Sequence, residues 1–119
     1  MYFSESLKKN SDFRAVYRIK HSYANKYLVI YIKENNLTIN RLGISVSKKV
    51  GNSVVRHHIT RLIRESYRLH QKMFNSGLDI VVVARSNASG CTYFEIESAL
   101  LHLLKLHGII NDSHGGNRI

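Results

Sequence analysis

This 119-residue chain has one cysteine, eight acids and no long apolar run. The single cysteine, Cys91, excludes an intrachain disulfide and gives no sign of an oxidising compartment. Nothing approaches the roughly 20 consecutive apolar residues that span a bilayer, and the opening MYFSESLKKNSDF lacks a secretory hydrophobic segment. The expectation is a soluble, cytoplasmic protein with no membrane partner. Catalytic constellations are also missing. The adjacent His57 and His58 point about 100° apart on a helix and cannot face each other as an acid/base pair. His102 and His107 are five residues apart, off the helical spacing of a metal pair. Cys91 has no evident base partner and reads as a small buried or loop residue. There is no Gly-rich phosphate loop, and KVGNS (49–53) reads as a turn and helix cap. No catalytic residue and no protein-held metal are expected.

What the chain has in excess is positive charge. Eighteen Lys and Arg stand against eight Asp and Glu, for a net +10 and a pI near 10.0. Fifteen of those cations and only four of the acids fall in residues 1–72. Charge kept for solubility alone would be spread more evenly, so this asymmetry marks a polyanion-binding face. A basic amphipathic membrane helix is the competing explanation, but it wants a continuous apolar opposite face and no sheet. Nucleic acid is the better partner.

The hydrophobic content, 44%, suits a globular domain rather than a disordered chain. A short helix is expected over 11–18, capped by Ser11, with Phe13, Val16 and Tyr17 on one face. YLVIYIKE (27–34) and RLGISVS (41–47) alternate as strands. In the second, Leu42, Ile44 and Val46 point one way while Gly43, Ser45 and Ser47 leave a small polar face. A helix follows from about 53 to 73, then a buried strand over LDIVVVA (78–84). The last helix, near 92–107, opens on a Thr92/Glu95 capping box and stops at Gly108. These elements predict one α+β domain over 1–108, a two-layer sandwich of helices on an open sheet, with 109–119 as a flexible tail.

The helix at 53–73 is unusual in its charge. Residues 48–68 carry two lysines and four arginines against one acid, Glu65. At 100° per residue, Val55, Ile59, Leu62, Ser66, Leu69 and Met73 form a predicted core stripe. His57, Arg61, Arg64 and Arg68 lie opposite. A merely solvated face mixes signs through i,i+4 pairs. Helix N-termini also prefer acids, by about 0.3–1 kcal/mol each, yet Lys48, Lys49 and Arg56 crowd this one. Stability is given up there, which points to an anionic partner.

The stretch SVSKKVGNSVVRHHITRLIRESYR resembles the signature of the bacterial ribonuclease P protein component, of the form K-K-x-G-N-A-V-x-R-N-R-x-K-R-x-x-R. KKNSDFRAVYR, ANKYLVIYI and DIVVVAR extend the likeness along most of the chain. His57 and His58 depart from it where Asn and Arg are usual, and Thr60 departs where Lys is common. The resemblance implies an α+β, ribosomal-protein-like fold with a roughly four-stranded mixed sheet and a left-handed crossover through the basic helix, against the usual right-handed rule. It implies the protein subunit of ribonuclease P, whose partners are a catalytic RNA that cleaves precursor tRNA and the precursor tRNA itself, with no obligate protein partner. Mg²⁺ is implied for the holoenzyme, held mainly through RNA. By position, Lys48, Lys49, Arg56, His57, His58, Arg61, Arg64 and Arg68 would dock the catalytic RNA. Phe13, Arg14, Tyr17 and Tyr31 would hold the single-stranded 5′ leader of the substrate.

The residues support that division on their own terms. Phe13 and Tyr17 on a helix, with Tyr27 and Tyr31 on a sheet face, would make a stacking platform, and stacking is sequence-tolerant because every base has a π-face. Core packing is the alternative for all four, and the better one for Tyr27. A ribosomal or RNA-chaperone protein would share the basic face without needing an aromatic cleft. A self-sufficient nuclease would need the carboxylate or histidine cluster that is not visible.

Overall fold

A computed structural model of the chain describes residues 4–110. In chain order the elements are β1 (Ser4–Ser6), α1 (Asn10–Ile19), β2 (Ser22–Ala24), β3 (Leu28–Glu34), β4 (Asn40–Val46), α2 (Ser53–His70), β5 (Leu78–Ala84) and α3 (Tyr93–Leu106). The five strands form one mixed sheet in the order β1-β4-β5-β3-β2. At its centre, β5 runs parallel to β4 and antiparallel to β3, which explains its apolar run from Ile80 to Ala84: both of its faces are covered. The expected count of about four strands is low by one. The edge strands β1 and β2 have three residues each, mostly polar and exposed, so they carry no periodic signal and exist only through their partners.

The α+β class holds, and helices cover both faces of the sheet, so a thin third layer adds to the expected two. Leu28, Ile30, Ile32, Ile80, Val82 and Ala84 face α2 and α3 in the main core. On the other face, among the described residues, α1 is the one helix that packs, with Val16 on Val81 beside Leu7, Phe13, Tyr17, Tyr31 and Val83. The α1 side is the smaller cluster. Ser11 is not the cap of α1: the helix starts at Asn10 behind Lys9, with no side-chain cap. In α3 the Thr92/Glu95 capping box forms as expected, with reciprocal bonds of 2.8 and 3.2 Å.

The core stripe of α2 is partly displaced. Ile59, Ile63, Ser66 and Tyr67 are buried, whereas Leu69 is 55% and Met73 43% exposed. The helix ends at His70, and Met73 sits in a following 3-10 turn, where 3 residues per turn change the phase. Tyr67 takes the place expected of Leu69. Its ring packs edge-on to Phe74 at 5.0 Å, and its hydroxyl meets Ser4 Oγ of β1 at 2.7 Å. That second partner makes a buried tyrosine cheaper than its polar group suggests. Beyond α3, Ile109 is buried and Ile110 bridges to Phe74, so the packed region runs past the expected boundary at 108. Residues 111–119, the rest of the expected tail, lie outside the described residues.

Just after α3, His107 donates from Nε2 to the Ile30 carbonyl at 2.7 Å, with its ring against His21 and Tyr23. Its buried Nδ1 has no hydrogen-bond partner among the described residues. Burial lowers the pKa of this imidazole; the Ile30 bond partly opposes that, and His21 adds to it. The unfolded chain, titrating near pH 6.5, therefore takes up the proton before the folded one. Stability present above that pH is lost as pH falls through the lower folded pKa. The melting temperature should drop between about pH 7.5 and 5.5, and drop less for His107→Gln, which keeps a donor but cannot titrate. Parallel pH profiles for the two proteins would reject this role for His107.

Candidate nucleic-acid interface

The basic helix begins with a tight entry. Asn52 caps α2, its side-chain oxygen accepting from the Val55 N–H at 3.0 Å. A Cβ on Gly51 would lie 2.8 Å from Val55 Cβ, so only glycine lets the turn close onto the first helical turn. KVGNS is thus the turn and cap that the sequence indicates. Lys48 and Lys49 are exposed in that turn, and no acid occupies the first turn of α2. Arg56 is half-buried; His57, His58, Arg61, Arg64 and Arg68 are exposed. Arg68 grips Glu65 through two hydrogen bonds, the shorter 2.6 Å, and holds that carboxyl below the usual carboxylate range. Among the described residues, Arg61 and Arg64 make no ion pair. All eight residues expected to dock RNA therefore lie on one element or its entry turn, and seven of them face solvent.

The aromatic residues meet on the opposite side of the sheet. Gly43, Val81 and Tyr31 form one cross-strand row, and α1 crosses it. A Cβ on Gly43 would come within 2.6 Å of Phe13 Cζ, so the missing side chain is what lets the Phe13 ring lie on β4. Phe13 and Tyr17 have ring centroids 6.4 Å apart, and Tyr17 meets Tyr31 edge-on at 4.9 Å. All three rings are half-buried. Burial pushes the Tyr17 phenol up, against a smaller opposing effect of the Ser45 hydroxyl, so it stays a neutral donor. Asn10, Phe13, Arg14, Tyr17, Ile44 and Ser45 line a recess of about 390 Å³. The structure thus brings together Phe13, Arg14 and Tyr17, with Tyr31 behind them. Asn10 and Ile44 join the recess without a sequence signal: one is a helix-start residue, and the other belongs by alternation to the opposite face.

Tyr27 does not join the platform. Asn25 Oδ1 accepts from the N–H groups of Tyr27 and Leu28 at 3.1 and 3.0 Å, an Asx turn that takes Tyr27 out of the strand alternation. Its ring packs on the main core, with its hydroxyl 3.4 Å from Glu95 Oε2 and Lys26 Nζ 5.4 Å from its centroid. Tyr27 thus belongs to the rim of the core, in line with the better of its two expectations. Beside the recess, Arg41 of β4 binds the buried Asp79 of β5 at 2.8 and 2.7 Å and lies 3.7 Å from Asp12 of α1. This ion-pair set ties helix to sheet, and no local pattern in the sequence announces it. Cys91 is buried, and burial pushes its thiol up, which leaves it inert.

Among the described residues no three His, Cys, Asp or Glu side chains are grouped to hold a metal ion, and no helix is long and apolar enough to cross a membrane. Comparison with known proteins gives one consistent family. The family model described as ribonuclease P matches residues 1–107. The ribonuclease P protein component of Lachnoclostridium phytofermentans is 66% identical over 110 residues, covering 92% of this chain and 95% of its own. That of Alkaliphilus metalliredigens is 54% identical over 111 residues, covering 93% and 100%. Among solved structures, the Staphylococcus aureus RNase P protein superposes with a TM-score of 0.83 at 40% identity, covering 93% of this chain and all of that one. The Thermotoga maritima RNase P protein gives 0.78 at 31% identity, covering 86% and 96%.

Proposed function

The chain belongs to the ribonuclease P protein family, and from that premise we propose that it binds two RNAs at once, one on each face of its sheet. The solvent face of α2 docks the catalytic RNA of the ribonucleoprotein. The recess under α1 holds the single-stranded 5′ leader of precursor tRNA. The observation that carries this reading is the separation itself: α2 packs on one face of the sheet and α1 on the other.

Each surface suits its partner. Exposed guanidinium and ammonium groups on a rigid helix bind phosphates of a folded RNA whatever its bases, and among the described residues no acid pairs with Arg61 or Arg64. The α1 recess has aromatic rings, a small-residue floor at Gly43 and Ser45, and one cation, Arg14, at its rim. That combination fits a strand with unstacked bases. The protein aligns the leader beside the RNA that performs the cleavage, so its contribution is positioning. Mg²⁺, where it acts, is assigned to the RNA partner, whose phosphates supply the hard oxygen ligands it prefers. On this reading the protein works with its RNA in the cytoplasm. A ribosomal or chaperone-type role is the second reading; the Gly43-seated aromatic recess favours the first.

Phe13→Ala separates them. It should leave assembly with the catalytic RNA intact and weaken precursor tRNA binding by roughly 1–3 kcal/mol, the worth of one stacked base, with no loss for mature tRNA. Equal losses for precursor and mature tRNA would remove the leader from this recess.

A further inference from the structure

A second recess lies between α2 and α3, on the far side of the sheet from the leader cleft. It measures about 360 Å³, within the range of small-ligand sites, and is lined by His58, Arg61, Leu62, Arg64, Glu65 and Tyr93. Its chemistry is divided. Leu62 and the half-buried Tyr93 ring supply an apolar and aromatic wall, while Arg61, Arg64 and His58 supply a basic rim. A helix that only tracks phosphates needs no concavity and no π-face. A recess with both fits a base together with its flanking phosphates.

Tyr93 is held in place from outside the recess. Its hydroxyl donates to Glu97 Oε2 at 3.3 Å, and the same oxygen lies 2.8 Å from His70 Nε2. The Phe94 ring packs edge-on to it at 5.6 Å. Glu65 adds the second observation. It is the one acid between residues 48 and 68, and it lines this recess. Arg68 keeps it ionised. A carboxylate there repels phosphate, yet it accepts readily from the exocyclic amine of a base.

We propose that this recess takes one unpaired nucleotide of the catalytic RNA. The base stacks on Tyr93 and Leu62, an exocyclic amine meets Glu65, and the adjoining phosphates meet Arg61 and Arg64. The inference rests on the reading of α2 as the docking face and adds to it a base-specific contact.

The test measures assembly of the full-length protein with the catalytic RNA alone, without tRNA, over a salt series, together with base-edge chemical probing of the RNA. Tyr93→Ala and Tyr93→Leu should each lose about 5- to 150-fold in affinity, the range of one stacked base, at an unchanged salt slope. Tyr93→Phe, which keeps the ring, should retain most of the affinity. One nucleotide shielded by the wild-type protein should become reactive with Tyr93→Ala and Tyr93→Leu. Thermal melting of each variant shows that it is folded, and Tyr93→Leu, which keeps apolar bulk, serves if the alanine variant is not. Wild-type affinity in the folded Leu variant, or no nucleotide whose reactivity depends on Tyr93, overturns the proposal. So does a dependence on Tyr93 that emerges only when precursor tRNA is added. If Arg61→Ala and Arg64→Ala flatten the salt slope while Tyr93 is silent, the recess fails and the docking face stands; if they do not, the docking face fails too.

Discussion

Arg61→Ala and Arg64→Ala should each weaken assembly with the catalytic RNA by about tenfold or more and make it less sensitive to salt. A hydrogen bond from a charged group is worth roughly 1.5–3 kcal/mol, and each 1.4 kcal/mol is a factor of ten. Removing a cation that neutralises one phosphate also takes about 0.7–0.9 from the log–log salt slope, because fewer counterions are released on binding. Neither side chain has an ion pair to lose among the described residues, and both are exposed, so folding should be little affected. Arg68→Ala should cost less affinity, since Glu65 already holds that guanidinium at 2.6 Å and competes with phosphate for it. Equilibrium binding across a potassium chloride series gives both quantities. Slopes for Arg61→Ala and Arg64→Ala equal to that of the wild-type protein would exclude α2 as the phosphate-binding face.

Periodic and local features are legible in the sequence. The strand over 78–84, the capping box at Thr92, the small face of Gly43 and Ser45, and the one-sided charge of α2 each follow from a run of neighbouring residues. The α1 recess can be read in part for the same reason: Phe13 and Tyr17 are one helical turn apart. What escapes depends on partners distant in sequence. Three-residue strands have no pattern of their own, and β1 is defined by the register of Ser4 on Asn40. Tyr67 ranks below Leu69 as a core residue on sequence alone because its hydroxyl partner, Ser4, lies 63 positions away. Alternation places Tyr27 with the sheet because it ignores the Asx turn at Asn25. Tyr93 cannot be tied to the basic helix at all, since only the packing of α3 on α2 brings its ring beside Arg61 and Arg64.

Arg41→Ala should produce the largest loss of stability of the substitutions considered. Asp79 is 1% exposed, and its carboxylate receives Arg41 Nε and Nη2 at 2.8 and 2.7 Å and Asn35 Nδ2 at 2.9 Å. Burial by itself pushes this carboxyl up; the Arg41 and Asn35 bonds outweigh it and hold the group below the usual carboxylate range. Without Arg41, the buried carboxylate keeps the Asn35 bond and the Lys33 charge, and breaking such a pair costs about 3–5 kcal/mol, against the 5–15 kcal/mol of a typical domain. α1 also loses its link to the sheet through Asp12, so the recess around Phe13 should loosen with it. The sign of the pH dependence distinguishes this cause from lost packing. In the wild-type protein the folded pKa of Asp79 is depressed, so its contribution is present above the unfolded value near 3.9 and is lost only as pH falls through the lower folded one. In Arg41→Ala the largest of the effects that offset burial is gone, so the folded pKa of Asp79 moves up and the stability contributed by its depression shrinks. The pH-linked part of the deficit measured by urea unfolding should therefore be fully present near pH 7.5 and shrink as pH falls through the unfolded value near 3.9. Adding Asp79→Ala to Arg41→Ala should recover part of the loss at pH 7.5, since the unpaired charge is then gone. A deficit that ignores pH, together with a double variant as unstable as the two single losses added, would show that Arg41 does not act by neutralising Asp79.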